Sequence, residues 1–161
     1  MSLLVQYLEE WLQMSKEKNM RLRFIGDRSV FSDKIRQLME RVERESAPFR
    51  NQLNLALNYG ARSELATAFT ALASEGKKTI TPEDISDHLY TKGQPDVDLL
   101  IRTGGEVRLS NFLLFQSAYA ELYFTDRLWP DMSRADIDEA ISYFNRRERR
   151  FGAVIERNTL S

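Results

Sequence analysis

The sequence predicts an α/β domain in which a mainly parallel sheet is flanked by helices. Short apolar segments of strand length alternate with longer segments whose apolar residues recur at every third or fourth position. The strand-like segments end in Gly or Asp, residues that commonly close a strand. This alternation is typical of parallel sheets covered by helices. The chain has 161 residues, a length that suits one domain, so we predict a single α/β domain over residues 1–161.

Four segments are predicted to be strands because each is short and apolar: Arg21–Asp27, Gln52–Gly60, Val97–Gly105 and Glu121–Asp126. Four apolar stripes at helical spacing predict helices between and around them. Their members are Leu4, Leu8, Trp11 and Leu12; Ile35, Leu38, Met39 and Val42; Leu65, Phe69, Leu72 and Ala73; and Ile137, Ala140, Ile141 and Phe144. Capping patterns at Thr81 and Ser133 predict two further helix starts.

Composition narrows the class of protein. The chain carries 23 basic and 24 acidic residues, giving a net charge of −1, and it has no cysteine. A nearly neutral chain gives no global attraction to nucleic acid, and the lack of cysteine excludes disulfides and thiolate metal sites. Glu9 and Glu10 interrupt the apolar core that a signal peptide would need. We therefore expect a soluble cytoplasmic protein that does not bind nucleic acid.

The connection between the third strand and the next apolar run carries an unusual set of polar residues. Arg102 and Arg108 each offer a planar fork of donors that matches phosphate oxygens. Gly104 and Gly105 allow a tight turn close to a ligand. Ser110 is predicted to begin a helix whose first amides would face an anion. In parallel sheets ligands collect at the carboxyl ends of the strands, so this connection is a candidate diphosphate site.

Two acidic residues do not fit a pure anion site. Glu106 lies inside the connection and Glu121 begins the fourth predicted strand. Carboxylates beside phosphates suggest a hard cation, because Mg²⁺ takes one or two carboxylates together with phosphate oxygens. Taken singly, Ser110 fits an ordinary N-cap and the Glu106–Arg108 spacing fits a solvated charge pair. Together after a buried strand, these residues favour a functional site.

The segment IRTGGEVRLSNFLLFQSAYAELYFTDRLWPDM, residues 101–132, resembles the signature region of the cis-prenyltransferase family, in particular its undecaprenyl diphosphate synthases. The segments RLRFIGD, LNLALNYGAR and NRRERRFG are similar to other family segments and follow in the family's order. The resemblance extends over nearly the whole chain. It implies a Mg²⁺-dependent condensation of isopentenyl diphosphate with an allylic diphosphate, repeated to build a cis-polyprenyl diphosphate.

Roles for individual residues follow from the resemblance. It implies that Arg102, Arg108 and Ser110 bind isopentenyl diphosphate, that Glu121 helps to hold Mg²⁺, and that Glu106 is a supporting acid in the same catalytic site. It also implies that Arg150 and Gly152 reach toward the active site of the partner in a homodimer. An alternative interpretation of this C-terminal segment remains open. RRERRFG, which includes Arg146 and Arg147, also fits the basic end of a helix that is closed by Gly152. A lipid product further implies peripheral contact with a membrane.

The resemblance fails at the front of the chain. Family members carry an Asp-Gly-Asn-Gly-Arg motif that holds the allylic diphosphate and Mg²⁺, and a later Asn-Trp segment, and neither occurs in this sequence. We therefore expect the C-terminal portion of a synthase, with an incomplete family fold and without turnover on its own. The alternative is a non-catalytic partner subunit or regulatory binding module of a complete synthase. A nucleotide-binding module is disfavoured because no phosphate-binding glycine motif follows a strand.

Three residues outside the connection have weaker functional readings. Asn58 and Tyr59 end the second predicted strand, but where the family usually has Asn-Tyr-Gly-Gly-Arg this chain has Ala61. Alanine costs little there if its φ is negative. His88 is the only histidine and is predicted to be a surface or packing residue.

Overall fold

A computed structural model describes residues 3–147 of the chain. The chain forms two compact units, residues 1–93 and residues 94–161. Each unit contains a parallel pair of strands with helices, which confirms the predicted α/β class. The prediction that residues 1–161 act as a single domain stays a prediction. The predicted sites at Arg150 and Gly152 lie outside the described residues.

The first unit contains four helices and two strands. They are α1 (Leu3–Lys18), β1 (Met20–Ile25), α2 (Asp33–Ser46), β2 (Asn51–Ala56), α3 (Ala61–Ser74) and α4 (Pro82–Ser86), with a 3₁₀ turn at Arg28–Val30. Strands β1 and β2 pair in parallel, with Met20 opposite Asn51 and Ile25 opposite Ala56. The core lies between this pair and the helices α1 and α2 and is formed by Leu8, Leu12, Leu22, Phe24, Met39 and Val42.

The edge of β1 that faces away from β2 is occupied by side chains of α2. The Leu22 N–H donates to Ser46 Oγ at 2.9 Å, and the Phe24 N–H donates to Glu43 Oε1 at 2.8 Å. Arg28 donates two hydrogen bonds to the Glu43 carboxylate, at 2.7 and 2.9 Å. Backbone donors at a strand edge would otherwise be available to another strand. The helix therefore protects one edge of this sheet.

The apolar stripe predicted for α3 is partly wrong. Its buried residues are Ala61, Glu64, Ala68 and Leu72, whereas Phe69 is 43% exposed. The buried Glu64 carboxylate accepts hydrogen bonds from the Tyr90 N–H at 2.8 Å and from the Tyr59 hydroxyl at 2.5 Å. The helix is therefore rotated to bury a hydrogen-bonded carboxylate among small residues, which an apolar pattern cannot predict.

The described part of the second unit, residues 94–147, contains two strands and one long helix. They are β3 (Leu99–Arg102), β4 (Glu121–Phe124) and α5 (Arg134–Asn145), with a 3₁₀ turn at Trp129–Asp131. The strands pair in parallel, with Leu99 opposite Glu121 and Arg102 opposite Phe124. Helix α5 begins with the predicted capping box between Ser133 and Asp136. A second capping box, between Thr81 and Asp84, begins α4. Within residues 3–147 no helix is long and apolar enough to cross a membrane.

Candidate diphosphate-binding site

The candidate site lies where β3 and β4 end. Arg102 is the last residue of β3, and its carbonyl accepts a hydrogen bond from the Thr125 N–H at 2.9 Å. The Gly104 N–H donates to the Arg127 carbonyl at 2.7 Å, and the Gly105 N–H donates to the Thr125 carbonyl at 3.0 Å. These bonds join the segments that follow the two strands. The loops at the carboxyl ends of β3 and β4 are therefore held together by backbone hydrogen bonds.

The turn after Arg102 requires glycine. Gly104 and Gly105 have φ angles of 83° and 72°, a region that residues with a Cβ rarely adopt. A Cβ added to Gly105 would lie 3.1 Å from Asp126 Oδ1. Both observations explain why two glycines follow the arginine in the sequence.

Arg102 lines a cavity of about 250 Å³ together with Leu100, Ile101, Thr103, Leu109 and Phe112. The Nε atom of Arg102 is buried and has no hydrogen-bond partner within residues 3–147. A buried donor without a partner is costly, and such groups in native proteins usually await a ligand, ion or water. The cavity combines one cationic residue, Arg102, with apolar walls. It can therefore accept a ligand that has an anionic group and a hydrocarbon group.

Arg108 and Glu106 form an ion pair with each other. Their side chains are 64% and 44% exposed, and ion pairs at such exposed sites contribute at most about 1 kcal/mol. Both side chains can therefore exchange this contact for a ligand at low cost.

The prediction that Ser110 begins a helix is wrong. No α-helix forms between Arg102 and β4, and Ser110, Asn111 and Leu113 have φ angles of 47°, 64° and 43°. The Phe112 N–H donates to the Leu109 carbonyl at 3.0 Å, so residues 109–112 form a tight turn with positive φ at both central positions. A left-handed conformation ends a right-handed helix and is uncommon outside glycine. The turn leaves Ser110 exposed and places Leu109 and Phe112 on the cavity.

Glu121 begins β4, at the opposite end of the sheet from Arg102. It lies three positions before Phe124, the partner of Arg102, which corresponds to about 10 Å along a strand. Side chains alternate between the faces of a strand, so Glu121 and Tyr123 share one face and Arg102 belongs to the other. The structure thus brings Arg102, Glu106 and Arg108 into one connection and places Glu121 apart from it in the sheet.

The Glu121 carboxylate is held by an arginine. Its Oε2 atom accepts a hydrogen bond from Arg147 Nε at 3.1 Å, and the Glu121 side chain is 19% exposed. The Arg147 guanidinium lies 5.5 Å from the centre of the Tyr143 ring, which in turn lies 5.4 Å from the Tyr123 ring. Burial raises the pKa of the Tyr123 phenol, and the nearby Glu139 and Asp136 carboxylates raise this pKa further. Tyr143 of α5 and Arg147, two residues after the end of α5, therefore lie on the Glu121 face of the strand pair.

Donors for a metal ion are few. Among residues 3–147 no three His, Cys, Asp or Glu side chains are grouped closely enough to hold a metal ion by themselves. Glu121 can supply one carboxylate. A cation here would need other oxygen donors to complete its coordination.

Sequence reasoning missed five contributors to this region. Thr103, Leu109 and Phe112 line the cavity. Of these, only Thr103 could have been predicted, because it follows Arg102 directly in the sequence. Asp126 approaches the Gly105 turn, a contact between distant residues with no local signal. The pairing of Arg147 with Glu121 was also missed, because NRRERRFG fits a basic helix end.

Comparison with known proteins places this architecture in a family. The prenyltransferase family model described as "Putative undecaprenyl diphosphate synthase" matches residues 1–152. The chain belongs to this family. It is 43% identical over 160 residues to the isoprenyl transferase of Neisseria gonorrhoeae, covering 97% of this chain and 63% of that relative. An isoprenyl transferase of Thermus thermophilus is 46% identical over 147 residues, covering 84% of this chain and 56% of the relative.

Solved prenyltransferase structures have the same fold. A structure titled a probable undecaprenyl diphosphate synthase from Campylobacter jejuni matches with a TM-score of 0.84 at 37% identity, covering 94% of this chain and 72% of that chain. Lavandulyl diphosphate synthase from Lavandula x intermedia, solved with dimethylallyl diphosphate, matches with a TM-score of 0.82 at 30% identity, covering 92% and 70%. The family resemblance and the α/β fold are thus confirmed, and the chain spans less than two thirds of the length of the Neisseria relative.

Proposed function

We propose that this chain takes part in prenyl transfer, in which isopentenyl diphosphate is condensed with an allylic diphosphate to build a cis-polyprenyl diphosphate such as undecaprenyl diphosphate. Membership of the prenyltransferase family supports this class of reaction. The Lavandula relative is titled as a complex with dimethylallyl diphosphate, which supports an allylic diphosphate as the second substrate. On this proposal the chain supplies the isopentenyl diphosphate half of the site.

The observation that carries the proposal is Arg102, which lines a partly apolar cavity and whose buried Nε lacks a hydrogen-bond partner among the described residues. A diphosphate oxygen in this cavity would accept a charge-assisted hydrogen bond from the Arg102 guanidinium. Leu109 and Phe112 offer apolar surface for a five-carbon chain. Isopentenyl diphosphate has both features in one small molecule.

The neighbouring polar residues extend this site. Arg108 would exchange its exposed contact with Glu106 for diphosphate oxygens, and the Ser110 hydroxyl would add a donor. Arg150 and Gly152 are assigned to the isopentenyl diphosphate site, on the partner's side of a homodimer, from the family motif alone. A cytoplasmic location and peripheral membrane contact through the lipid product rest on the family in the same way.

Prenyl transfer requires positive charge from the protein, because negative charge develops on the diphosphate that leaves. The new carbon–carbon bond joins the double bond of isopentenyl diphosphate to the first carbon of the allylic substrate. The allylic carbon–oxygen bond breaks, diphosphate leaves with the electron pair, and a proton is lost from the isopentenyl carbon skeleton. Arg102 and Arg108 would hold the isopentenyl diphosphate in position while charge develops on the leaving group.

We assign Mg²⁺ as the cofactor, with Glu121 as a ligand and Glu106 as a supporting acid. One carboxylate is sufficient only if diphosphate oxygens and water complete the coordination, which is how Mg²⁺ is commonly bound beside phosphates. When bound, the ion would neutralise diphosphate charge.

A second candidate is a non-catalytic binding module or partner subunit of a complete synthase. It is favoured by one observation: both acidic residues assigned to catalysis are already paired, Glu106 with Arg108 and Glu121 with Arg147. Such a module would keep affinity for isopentenyl diphosphate without turnover.

Two measurements on the 161-residue chain separate these proposals. Calorimetric titration of isopentenyl diphosphate, with and without Mg²⁺, tests the half-site, and inorganic diphosphate and isopentenol serve as partial ligands. Both partial ligands are expected to bind more weakly than the complete molecule. Incubation with isopentenyl and allylic diphosphates and Mg²⁺, followed by chromatography of the lipids, tests turnover. Binding without product supports the module, and no binding by a folded chain contradicts both proposals.

A further inference from the structure

Another cavity lies beside β1 in the first unit, whereas the proposed substrate site belongs to the second unit. Its volume is about 330 Å³, near the lower end of the range for cavities that bind small molecules. Three arginines and one glutamate take part in its lining, which therefore carries a net charge of +2. The lining residues are Arg21, Leu22, Arg23, Arg28 and Glu43. A cavity with this excess of positive charge favours an anion.

The Glu43 carboxylate in this lining is already neutralised. Arg28 donates to its two oxygens at 2.7 and 2.9 Å, and the Phe24 N–H donates to Oε1 at 2.8 Å. One planar fork of donors is thus matched by one carboxylate, as in other bidentate pairs. This pairing leaves the charges of Arg21 and Arg23 unbalanced.

The half-buried Arg23 side chain is held in place by neutral acceptors. One of its terminal nitrogens donates to the Tyr90 carbonyl at 3.0 Å, and the other donates to the Lys92 carbonyl at 3.4 Å. Among residues 3–147, neither Arg21 nor Arg23 has an acidic partner in an ion pair. A guanidinium has five N–H donors, so Arg23 keeps further donors for a ligand. The carbonyls therefore fix the position of this cation without balancing its charge.

We propose that Arg21 and Arg23 form a binding site for a phosphate-bearing anion free in solution, such as inorganic phosphate or diphosphate. The two side chains belong to the same face of β1 because they are two positions apart. A carboxylate is satisfied by one fork of donors, as Glu43 is by Arg28. A phosphate group has more oxygens and can accept hydrogen bonds from two forks at once. This site requires neither Arg102 nor prenyl transfer.

Nuclear magnetic resonance tests the site residue by residue. Inorganic phosphate is titrated into the 161-residue chain at constant ionic strength, while the ¹⁵N signals of both arginine side chains and of the Leu22 amide are followed. These signals are expected to shift together and to saturate. Arg23→Gln is expected to weaken phosphate binding about 10- to 100-fold, because a charged donor group is lost. Arg21→Gln is expected to weaken binding about two- to fivefold, since Arg21 is exposed.

The matched control is Arg44→Gln. Arg44 is also exposed and has no ion pair with a described residue, but it is not part of the cavity lining. Its removal changes the net charge equally, and phosphate binding is expected to stay near that of the wild type. Arg134→Gln is a second control, since Arg134 lies on α5 and is 94% exposed. If the Arg21 and Arg44 variants lose affinity alike, general charge explains the result and the proposal is overturned.

Folding of each variant is checked first by circular dichroism. The Arg21 side chain makes no hydrogen bond to a described residue, so Arg21→Gln tests the site even if Arg23→Gln fails to fold. Absence of saturable shifts in the wild type overturns the proposal.

A membrane surface is the other source of phosphate groups. Co-sedimentation with phosphatidylglycerol vesicles, compared with neutral phosphatidylcholine vesicles, distinguishes it from free phosphate. Vesicle binding that depends on Arg21, in a chain that does not bind free phosphate, overturns the proposal. Failure of the proposed function is recognised separately, because the isopentenyl diphosphate titration depends on Arg102.

Discussion

At the scale of single residues, Gly26 shows how backbone geometry fixes a sequence position. Its φ is 117°, and a Cβ would lie 2.1 Å from the Leu57 carbonyl oxygen. The Gly26→Ala variant is expected to lose more than about 3 kcal/mol of unfolding free energy, because the clash is with backbone and neither strand can move away. Urea denaturation of the variant measures this loss.

Gly93→Ala is the control for that prediction. Gly93 also has a positive φ, of 76°, but nothing lies within 4 Å of its added Cβ. Only the conformational cost of about 1–2 kcal/mol is expected there. Equal losses of unfolding free energy in the two variants would contradict the prediction, because the contact with the Leu57 carbonyl oxygen would then contribute nothing.

The site residues show what sequence alone could and could not predict. Arg102, the two glycines and Arg108 were predicted as one polar connection after a strand, because strand ends and glycine pairs leave local signals. The conformation of Ser110 was not predictable, since Ser followed by an apolar run fits a helix start equally well. Its left-handed turn instead places Leu109 and Phe112 on the cavity.

At the scale of elements, His88 joins α4 to the end of α3. Its Nδ1 lies 2.7 Å from the Asp84 carbonyl oxygen, and its Nε2 lies 3.0 Å from Glu75 Oε1. Both neighbours are acceptors, so both ring nitrogens can donate only when the ring is protonated. The hydrogen bond to Glu75, followed by that to Asp84, raises the pKa of His88, although burial of the ring and the positive charge of Lys92 oppose this shift.

The stability contributed by His88 is therefore expected to depend on pH. Because the folded pKa is raised, the contribution is fully present below the unfolded pKa, about 6.5, and is lost as pH rises through the folded pKa. The difference in melting temperature between wild type and His88→Asn is expected to be larger at about pH 5.5 than at about pH 8.5. Glu75→Gln should reduce this pH dependence, and equal differences at both pH values would contradict it.

The helices also show which buried residues a periodic apolar pattern can predict and which it cannot. The stripes of α1 and α2 were predicted correctly because Leu8, Leu12, Met39 and Val42 pack into one apolar core. The stripe of α3 was partly wrong because that helix buries Glu64 against the Tyr90 backbone and the Tyr59 hydroxyl. A buried carboxylate of this kind depends on partners far along the chain, so no local pattern reveals it.

At the scale of the whole molecule, large apolar side chains remain exposed. Val107 and Trp129 are each 72% exposed and Leu128 is 58% exposed, and exposed apolar groups of this kind favour association. Each described strand also pairs with only one other strand. We therefore expect the 161-residue chain to self-associate, as light scattering over a range of concentrations would detect. A monomer at every concentration would contradict this expectation and the proposed homodimer.

The central claim is that Arg102 binds the diphosphate of isopentenyl diphosphate. The most direct test is calorimetric titration of this ligand into the wild type, Arg102→Met and the control Arg134→Gln, each first shown to be folded by circular dichroism. Loss of one charge-assisted hydrogen-bonding group is expected to weaken binding about 10- to 100-fold in Arg102→Met. The control is expected to bind like the wild type. Equal affinity in all three folded proteins would contradict the claim, because the ligand would then bind without Arg102.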